Sequence, residues 1–361
     1  MKYALPLFLL LTSLFTVVFI LVADNINSNP SKNISNPRRS LAFSAADFEV
    51  ELSAWLPWWE EQASIESLSN SNGQIKIISP VWYQIAENGE LIETASEYKK
   101  EVLSHAEALN IRVIPTISNA SGDDFDGERI SKLLRNEALQ EKFILSLLEL
   151  AQDSGFRGWD LDWEKVKEED RDLYSAFVNT LAKRLNSRNL KLSVTVHAQA
   201  GKPSDWDGAK GQDLKALGKS ANYVRVMAYD FHHSISPPGS VTPMDRLYET
   251  LDYSVKVIPL DKLVLGLPSY GYDWVLDKGT AMQYQEVVKY LKNNGAKVDR
   301  DPESHSLYAN FSREGEEHTV WFEDAESLLI KIEAAKSYGV YQVVLWHLGD
   351  EDPKIWKLVN R

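Results

Sequence analysis

The chain has 361 residues, 44% hydrophobic and 25% charged, which is enough for one large domain or two smaller ones with a full core. A formal net charge of −13 without a long basic run argues against nucleic acid and anionic polymers as partners, while a neutral glycan is compatible. With no cysteine, disulfides, thiolate catalysis and cysteine-ligated zinc are excluded, although the compartment is not identified.

Residues 3–23 are almost wholly apolar, broken only by Pro6 and the mildly polar Thr12, Ser13 and Thr16. About 20 apolar residues suffice to span a bilayer, whereas the apolar core of a cleaved signal peptide is usually about 7–15 residues. The run therefore reads as an uncleaved signal anchor, with a signal peptide cut after Leu21-Val22-Ala23 as the alternative. Residues 24–47 are rich in Asn, Ser and Pro and lack periodicity, so they read as a flexible linker to a domain over 48–361.

From residue 50 the chain alternates strand and helix signals. Strands are expected over 50–59, 75–85, 111–117, 158–164, 190–197, 223–231, 263–267 and 340–346. Helical spacing follows over 96–109, 129–153, 168–185, 213–219, 244–257, 325–338 and 353–359, and a polar segment over 60–69. Eight strand–helix units imply a parallel sheet with helices outside, and fit an α/β fold of the (β/α)8 TIM-barrel type. A small α/β insertion is expected at about 275–322, between strand 7 and helix 7. It would contain a helix over 284–293 and short strands over 296–298, 306–310 and 319–322. A doubly wound open sheet is disfavoured because no Gly-rich phosphate loop follows a strand.

The chemistry concentrates in Gly158-Trp159-Asp160-Leu161-Asp162-Trp163-Glu164. In a strand, Asp160, Asp162 and Glu164 share one face, and Trp159, Leu161 and Trp163 share the other. Carboxylates this close do not all ionise cheaply, so at least one holds a proton, as a general acid must. A half-exposed antiparallel strand would show the same alternation. In a barrel, however, both faces are covered, the acids point inward, and Glu164 comes last, toward the C-terminal rim where barrel enzymes keep their chemistry.

This stretch resembles the Asp-x-x-Asp-x-Asp-x-Glu signature of the chitinase-like glycoside hydrolases, family 18. Met227-Ala228-Tyr229-Asp230 resembles the Met-x-Tyr-Asp of that family's sixth strand, and Trp346 resembles the tryptophan flooring its sugar site. Ala54-Trp55-Leu56-Pro57-Trp58-Trp59, His318 to Ser327 and Leu345 to Pro353 resemble a bacterial cell-envelope branch that includes spore-cortex and polysaccharide-processing members.

The resemblance implies a retaining, substrate-assisted hydrolase of β-linked N-acetylglucosamine glycans, with no cofactor or metal. Glu164 would be the general acid. Asp162 would orient the substrate's acetamido group, Asp160 would support it from below, and Tyr229 would hydrogen-bond the acetamido oxygen. Asp230 would hold sugar hydroxyls and Trp346 would form the floor. Met227, Trp55 and Trp82 complete the expected substrate-binding set. Arg157 departs from the signature, standing where its first aspartate belongs. That departure keeps open a second reading, a sugar-binding barrel without catalysis, beside a third, an envelope scaffold. The protein is expected to be a monomer with its domain outside the cytoplasmic membrane, or secreted if residues 1–23 are removed.

His232 and His233 face opposite ways in a strand, so rim packing explains them better than a metal site, and His347 is read the same way. Trp58, Trp59, Trp206 and Trp274 could be sugar platforms or packing. Asp350, Glu351 and Asp352 fit capping of the closing helix better than a calcium site.

Overall fold

A computed structural model of the protein describes residues 49–94, 96–122, 124–201, 207–276 and 278–359. The apolar run 1–23, the linker 24–47 and Trp206 lie outside these residues. Among the described residues no helix is long and apolar enough to cross a membrane.

Eight parallel strands close a barrel. They are β1 (Glu51–Pro57), β2 (Ile75–Ile85), β3 (Thr116–Ser118), β4 (Gly158–Asp162), β5 (Lys191–His197), β6 (Tyr223–Met227), β7 (Leu263–Pro268) and, after an insertion, β13 (Gln342–Trp346). Their order is β1-β13-β7-β6-β5-β4-β3-β2, and β2 pairs back onto β1, leaving no open barrel edge. The helices form the outer layer: α1 (Glu61–Asn70), α2 (Lys99–Ala108), α3 (Gly127–Leu134), α4 (Glu137–Ser154), α5 (Arg171–Asn186), α6 (Leu214–Ser220) and α7 (Met244–Val257).

Local chemistry sets several boundaries. The expected helix over 129–153 is two helices, because the Asn136 side chain accepts from the Leu139 N–H and caps α4. Gly155, at φ 71°, ends α4 in the left-handed region that glycine tolerates. The expected strand over 111–117 is interrupted at Pro115, which has no N–H for the ladder, so only Arg112–Val113 and Thr116–Ser118 pair.

The insertion begins at Tyr270, five residues before its expected start. It is a five-stranded antiparallel sheet of β8 (Tyr270–Val275), β9 (Lys278–Gln283), β10 (Asp299–Arg300), β11 (Leu307–Arg313) and β12 (Glu316–Phe322), ordered β9-β8-β12-β11-β10. Helix α8 (Tyr284–Asn293) packs on it through Val287 and Leu291 against Met282, Ala309, Val320 and Phe322. The hairpin β8–β9 was not among the expected strands, and 296–298 is irregular, with pairing at Asp299–Arg300 instead. Two further helices follow, α9 (Ala325–Ser337) and α10 (Ile355–Leu358). The Asp324–Ser327 capping box starts α9.

The strands divide their side chains between two cores. Outward residues such as Leu52, Trp159, Leu161, Val194 and Leu265 join the large strand–helix core. The apolar part of the interior is small, with Trp55, Val264 and Val344 clustering against Tyr223, Tyr229 and Trp346. Ser79, Thr116, Asp160, Asp162, Ser193, Thr195 and Arg225 are buried polar residues. A polar barrel interior is expensive where groups go unpaired, and the pairs it does make build the site.

Candidate active site

Asp160 is fully buried and tied to four strands. Its Oδ2 accepts from Trp55 Nε1 on β1 at 3.0 Å and from Thr116 Oγ1 on β3 at 3.0 Å. Thr195 Oγ1 on β5 lies 3.3 Å from its Oδ1, and the Arg225 guanidinium on β6 lies 3.2 Å from its Oδ2. Asp162, one pleat higher, is 9% exposed, and its Oδ1 has no hydrogen-bond partner among the described residues. Burial, reinforced by the Asp160 charge and opposed by Arg225, pushes the Asp162 carboxyl up to about 7.

Glu164 stands two residues beyond the observed end of β4, at the mouth of the barrel. Burial, then the charges of Asp162 and Asp230, hold its carboxyl well above the usual range. Asn119 fixes its peptide from both sides: Asn119 Oδ1 accepts the Glu164 N–H at 2.9 Å, and Asn119 Nδ2 donates to the Glu164 carbonyl at 2.8 Å. His197, the last residue of β5, places Nε2 3.2 Å from Glu164 Oε2. Burial pulls this imidazole down to about 3, so it is neutral at pH 7. The mouth therefore holds an acid whose protonated form is favoured beside a neutral histidine.

Tyr229 and Asp230 leave the end of β6. The Tyr229 ring passes over Gly266, where an added Cβ would lie 3.2 Å from Cε1. Burial raises its phenol, with Asp162 and Asp230 adding to the effect. Asp230 adopts φ 55° and accepts from Tyr270 Oη at 2.5 Å and Tyr272 Oη at 3.0 Å, both on β8 of the insertion. Burial raises this carboxyl, and the two tyrosine hydrogen bonds temper the shift. Trp346 ends β13, partly exposed, with Trp55 edge-on to it at 5.7 Å. Trp55 itself is 1% exposed, so it supports Trp346 and Asp160 from below. Met227, partly buried at the end of β6, pairs in register with His197 and Gly266.

Residues 58–352 match the model for Glycosyl hydrolases family 18. The chain belongs to that family.

As a family 18 enzyme it is a glycosidase. The uncharacterized glycosylase YvbX of Bacillus subtilis (strain 168) is 30% identical over 307 residues, 83% of this chain and 88% of that protein. The cortical fragment-lytic enzyme of the same organism is 25% identical over 285 residues, 77% of this chain and 65% of that enzyme. Among solved structures, the Bacillus cereus spore cortex-lytic enzyme SleL is similar with a TM-score of 0.80 at 25% identity, covering 86% of this chain and 73% of that one. A chitinase from Chromobacterium violaceum ATCC 12472 is similar with a TM-score of 0.79 at 28% identity, covering 86% and 98%.

Against this family 18 frame, the structure separates the expected site residues. Asp160, Asp162, Glu164, Tyr229, Asp230, Trp346 and Trp55 converge at the C-terminal end of the barrel. Trp82 does not join them. It is fully buried, donates from Nε1 to Glu61 Oε1 on α1 at 2.5 Å, and packs on Phe156. Ser79 on the same strand points inward to Arg225, so alternation places Trp82 on the outer face, and the register slip between Val81 and Tyr83 turns Tyr83 outward beside it. Trp274 is likewise core, 1% exposed and donating to the His233 carbonyl, whereas Trp58 and Trp59 are 43% and 52% exposed just past β1.

Arg157 is exposed and precedes β4, at the end of the strand opposite Glu164. His232 Nδ1 contacts the Pro237 carbonyl, and His347 contacts Gln283 and the Leu348 carbonyl, so both serve packing. Glu351 accepts from Ser67, Trp356 and the Gly349 N–H, and Asp352 accepts from the Ala325 and Lys354 N–H groups. These carboxylates are committed to anchoring helices.

Five residues of the site were not singled out from sequence: Asn119, His197, Arg225, Tyr270 and Tyr272. A weak signal existed for Arg225, an arginine inside the apolar run Tyr223-Val224-Arg225-Val226-Met227, and for the alternating Tyr270-Gly271-Tyr272.

Proposed function

We propose that the protein is a retaining glycoside hydrolase that uses substrate-assisted catalysis on β-linked N-acetylglucosamine glycans, either chitin-like oligosaccharides or peptidoglycan. The observation that carries this reading is the ladder itself: Asp160 enclosed by hydrogen-bond donors, Asp162 poised near neutrality, and Glu164 at the mouth beside Trp346 with its carboxyl held well above the usual range. Asp160 has its oxygens occupied by protein donors, which suits support rather than nucleophilic attack. In the proposed reaction Glu164 protonates the glycosidic oxygen. The substrate's acetamido carbonyl attacks the anomeric carbon, as in the substrate-assisted exceptions to the two-carboxylate scheme. The Asp162 carboxylate accepts the acetamido N–H and stabilises the developing oxazolinium charge. Tyr229 orients the acetamido oxygen, Asp230 binds sugar hydroxyls, and Trp346 supplies the apolar floor, with Met227 beside it. Glu164, now ionised, then takes a proton from the water that opens the oxazolinium.

A soluble protein beginning near residue 45, assayed on chito-oligosaccharides, purified peptidoglycan and a glucan lacking acetamido groups, tests this. Cleavage of an N-acetylated glycan, with the β-anomer formed first and no cleavage of the glucan, is expected. Binding without turnover would favour the sugar-binding reading, and equal cleavage of the glucan would refute the substrate-assisted step.

The proposal extends to location. Residues 1–23 would anchor the 48–361 domain, through the 24–47 linker, on the outer side of the cytoplasmic membrane. The length of the apolar run supports this. Intact mass of the mature native protein decides it, since a species starting at Asp24 would rule out the anchor.

A further inference from the structure

Among the described residues Arg225 is the one fully buried arginine, 1% exposed. It lies inside the barrel below the reacting groups. It meets Asp160 at 3.2 Å, donates to Ser79 Oγ on β2 at 2.7 Å, and lies 5.2 Å from the centre of the Trp55 ring. Its Nε finds no partner among the described residues. An arginine held this incompletely is poor packing, because apolar residues of similar volume usually replace buried ion pairs at no loss of stability. Its position is therefore better explained by charge. The groups facing Asp162 and Glu164 are otherwise anionic or neutral. They are His197 from β5 and Tyr229 and Asp230 beyond β6, with Tyr174 of α5 behind them on Trp163, while Lys165 is ion-paired to Asp124 at the mouth.

We propose that Arg225 is a positioning residue that serves as the resident counter-ion of the carboxylate ladder: it balances Asp160 as an anion and so leaves the ladder's proton to Asp162 and Glu164, where the chemistry occurs. This rests on the catalytic roles proposed above for Asp162 and Glu164. Without the guanidinium, the ladder would take up a further proton at its buried end. The proton would be shared between Asp160 and Asp162, and Asp162 would face the acetamido group as a free carboxylate less of the time.

The test counts protonated carboxyls by carbon NMR in substrate-free protein labelled at the aspartate side-chain carboxyl, and so needs no turnover. Arg225→Met should hold more aspartate-bound proton than the wild type across the range where wild-type Asp162 titrates, around pH 7. Arg225→Lys, which keeps the charge, should match the wild type. A purely structural arginine would leave the count unchanged in Arg225→Met, which would overturn the proposal. Should Arg225→Met fail to fold, Asp160→Asn is compared with the Asp160→Asn, Arg225→Met double variant. The retained arginine should make Asp162 titrate lower by about one pH unit, the scale of an unpaired neighbouring charge. Equal titration in the two proteins would likewise overturn it. Wild-type protein that shows these titrations but cleaves no glycan would refute the proposed function and leave this assignment standing.

Discussion

Glu164→Gln is the most direct perturbation of the proposed chemistry. The side chain is 18% exposed, and burial, with the charges of Asp162 and Asp230, favours the protonated form of its carboxyl. Replacing the favoured neutral acid by a neutral amide of nearly the same shape changes the charge of the site little. The Asn119 clamp acts on the peptide of residue 164 and survives the change. His197, neutral and 3.2 Å away, still finds a polar partner in the amide. The stability cost should therefore stay below about 1 kcal/mol, or roughly 1–2 °C in Tm for a domain of this size. The amide cannot deliver a proton, and general acid catalysis is worth about 10²–10⁴-fold, or about 2.7–5.4 kcal/mol at 1.36 kcal/mol per tenfold. Reducing-end release from chito-oligosaccharides should fall by at least that factor. Tryptophan fluorescence should still report sugar binding through Trp346. An aryl glycoside with a strongly acidic leaving group needs less protonation and should lose far less rate. If Glu164→Gln keeps turnover within tenfold of wild type on the natural linkage, Glu164 is not the acid. If both substrates lose rate equally, its role is structural.

Asp162→Asn should lower kcat by about 10²–10³-fold, the cost of one lost stabilising group, with KM changing less. The same variant has a stability signature. The folded carboxyl is raised to about 7 from 3.8, so the native state binds the extra proton between those values and its stability falls as pH rises through that window. The asparagine lacks this loss, so the drop in Tm between pH 5 and pH 8 should be smaller than in the wild type. An unchanged drop would contradict the burial argument. Trp82→Ala should cost about 3–5 kcal/mol in denaturant melts while the surviving folded enzyme keeps its KM. Trp346→Ala should do the reverse, and a raised KM in Trp82→Ala would return Trp82 to the site. Asn119→Ala strips partners from the Glu164 N–H and carbonyl, at about 1–3 kcal/mol for each group left buried. Its kcat should fall more than its KM rises, and wild-type kinetics would show that the clamp does not position the acid.

Much of the architecture was legible because two periodicities govern it. Strand alternation put Asp160, Asp162 and Glu164 on one face and their hydrophobic neighbours on the other, whatever lay around them. Eight strand–helix repeats without a phosphate loop left few topologies besides a closed barrel. Boundaries were less legible where one residue changed the local rules. Pro115 broke β3, Asn136 split one helix into two, and the β8–β9 hairpin around Val275 and Lys278 carried too little hydrophobic alternation to be distinguished from a loop.

The amino-acid order by itself determined which residue types repeat at strand and helix spacing, and hence the barrel, the carboxylate ladder and the placement of Glu164 at its upper end. Tertiary closure decided how that ladder is charged and held. Trp55 reaches Asp160 across 105 positions of sequence, Arg225 reaches Ser79 across 146, and Tyr270 reaches Asp230 from an inserted sheet. The inward contact of Ser79 with Arg225 fixed which face of β2 looks into the barrel and so left Trp82 in the helical layer. Protonation follows from these contacts because desolvation and the fields of neighbouring charges depend on distance in space, and distance along the chain does not specify it.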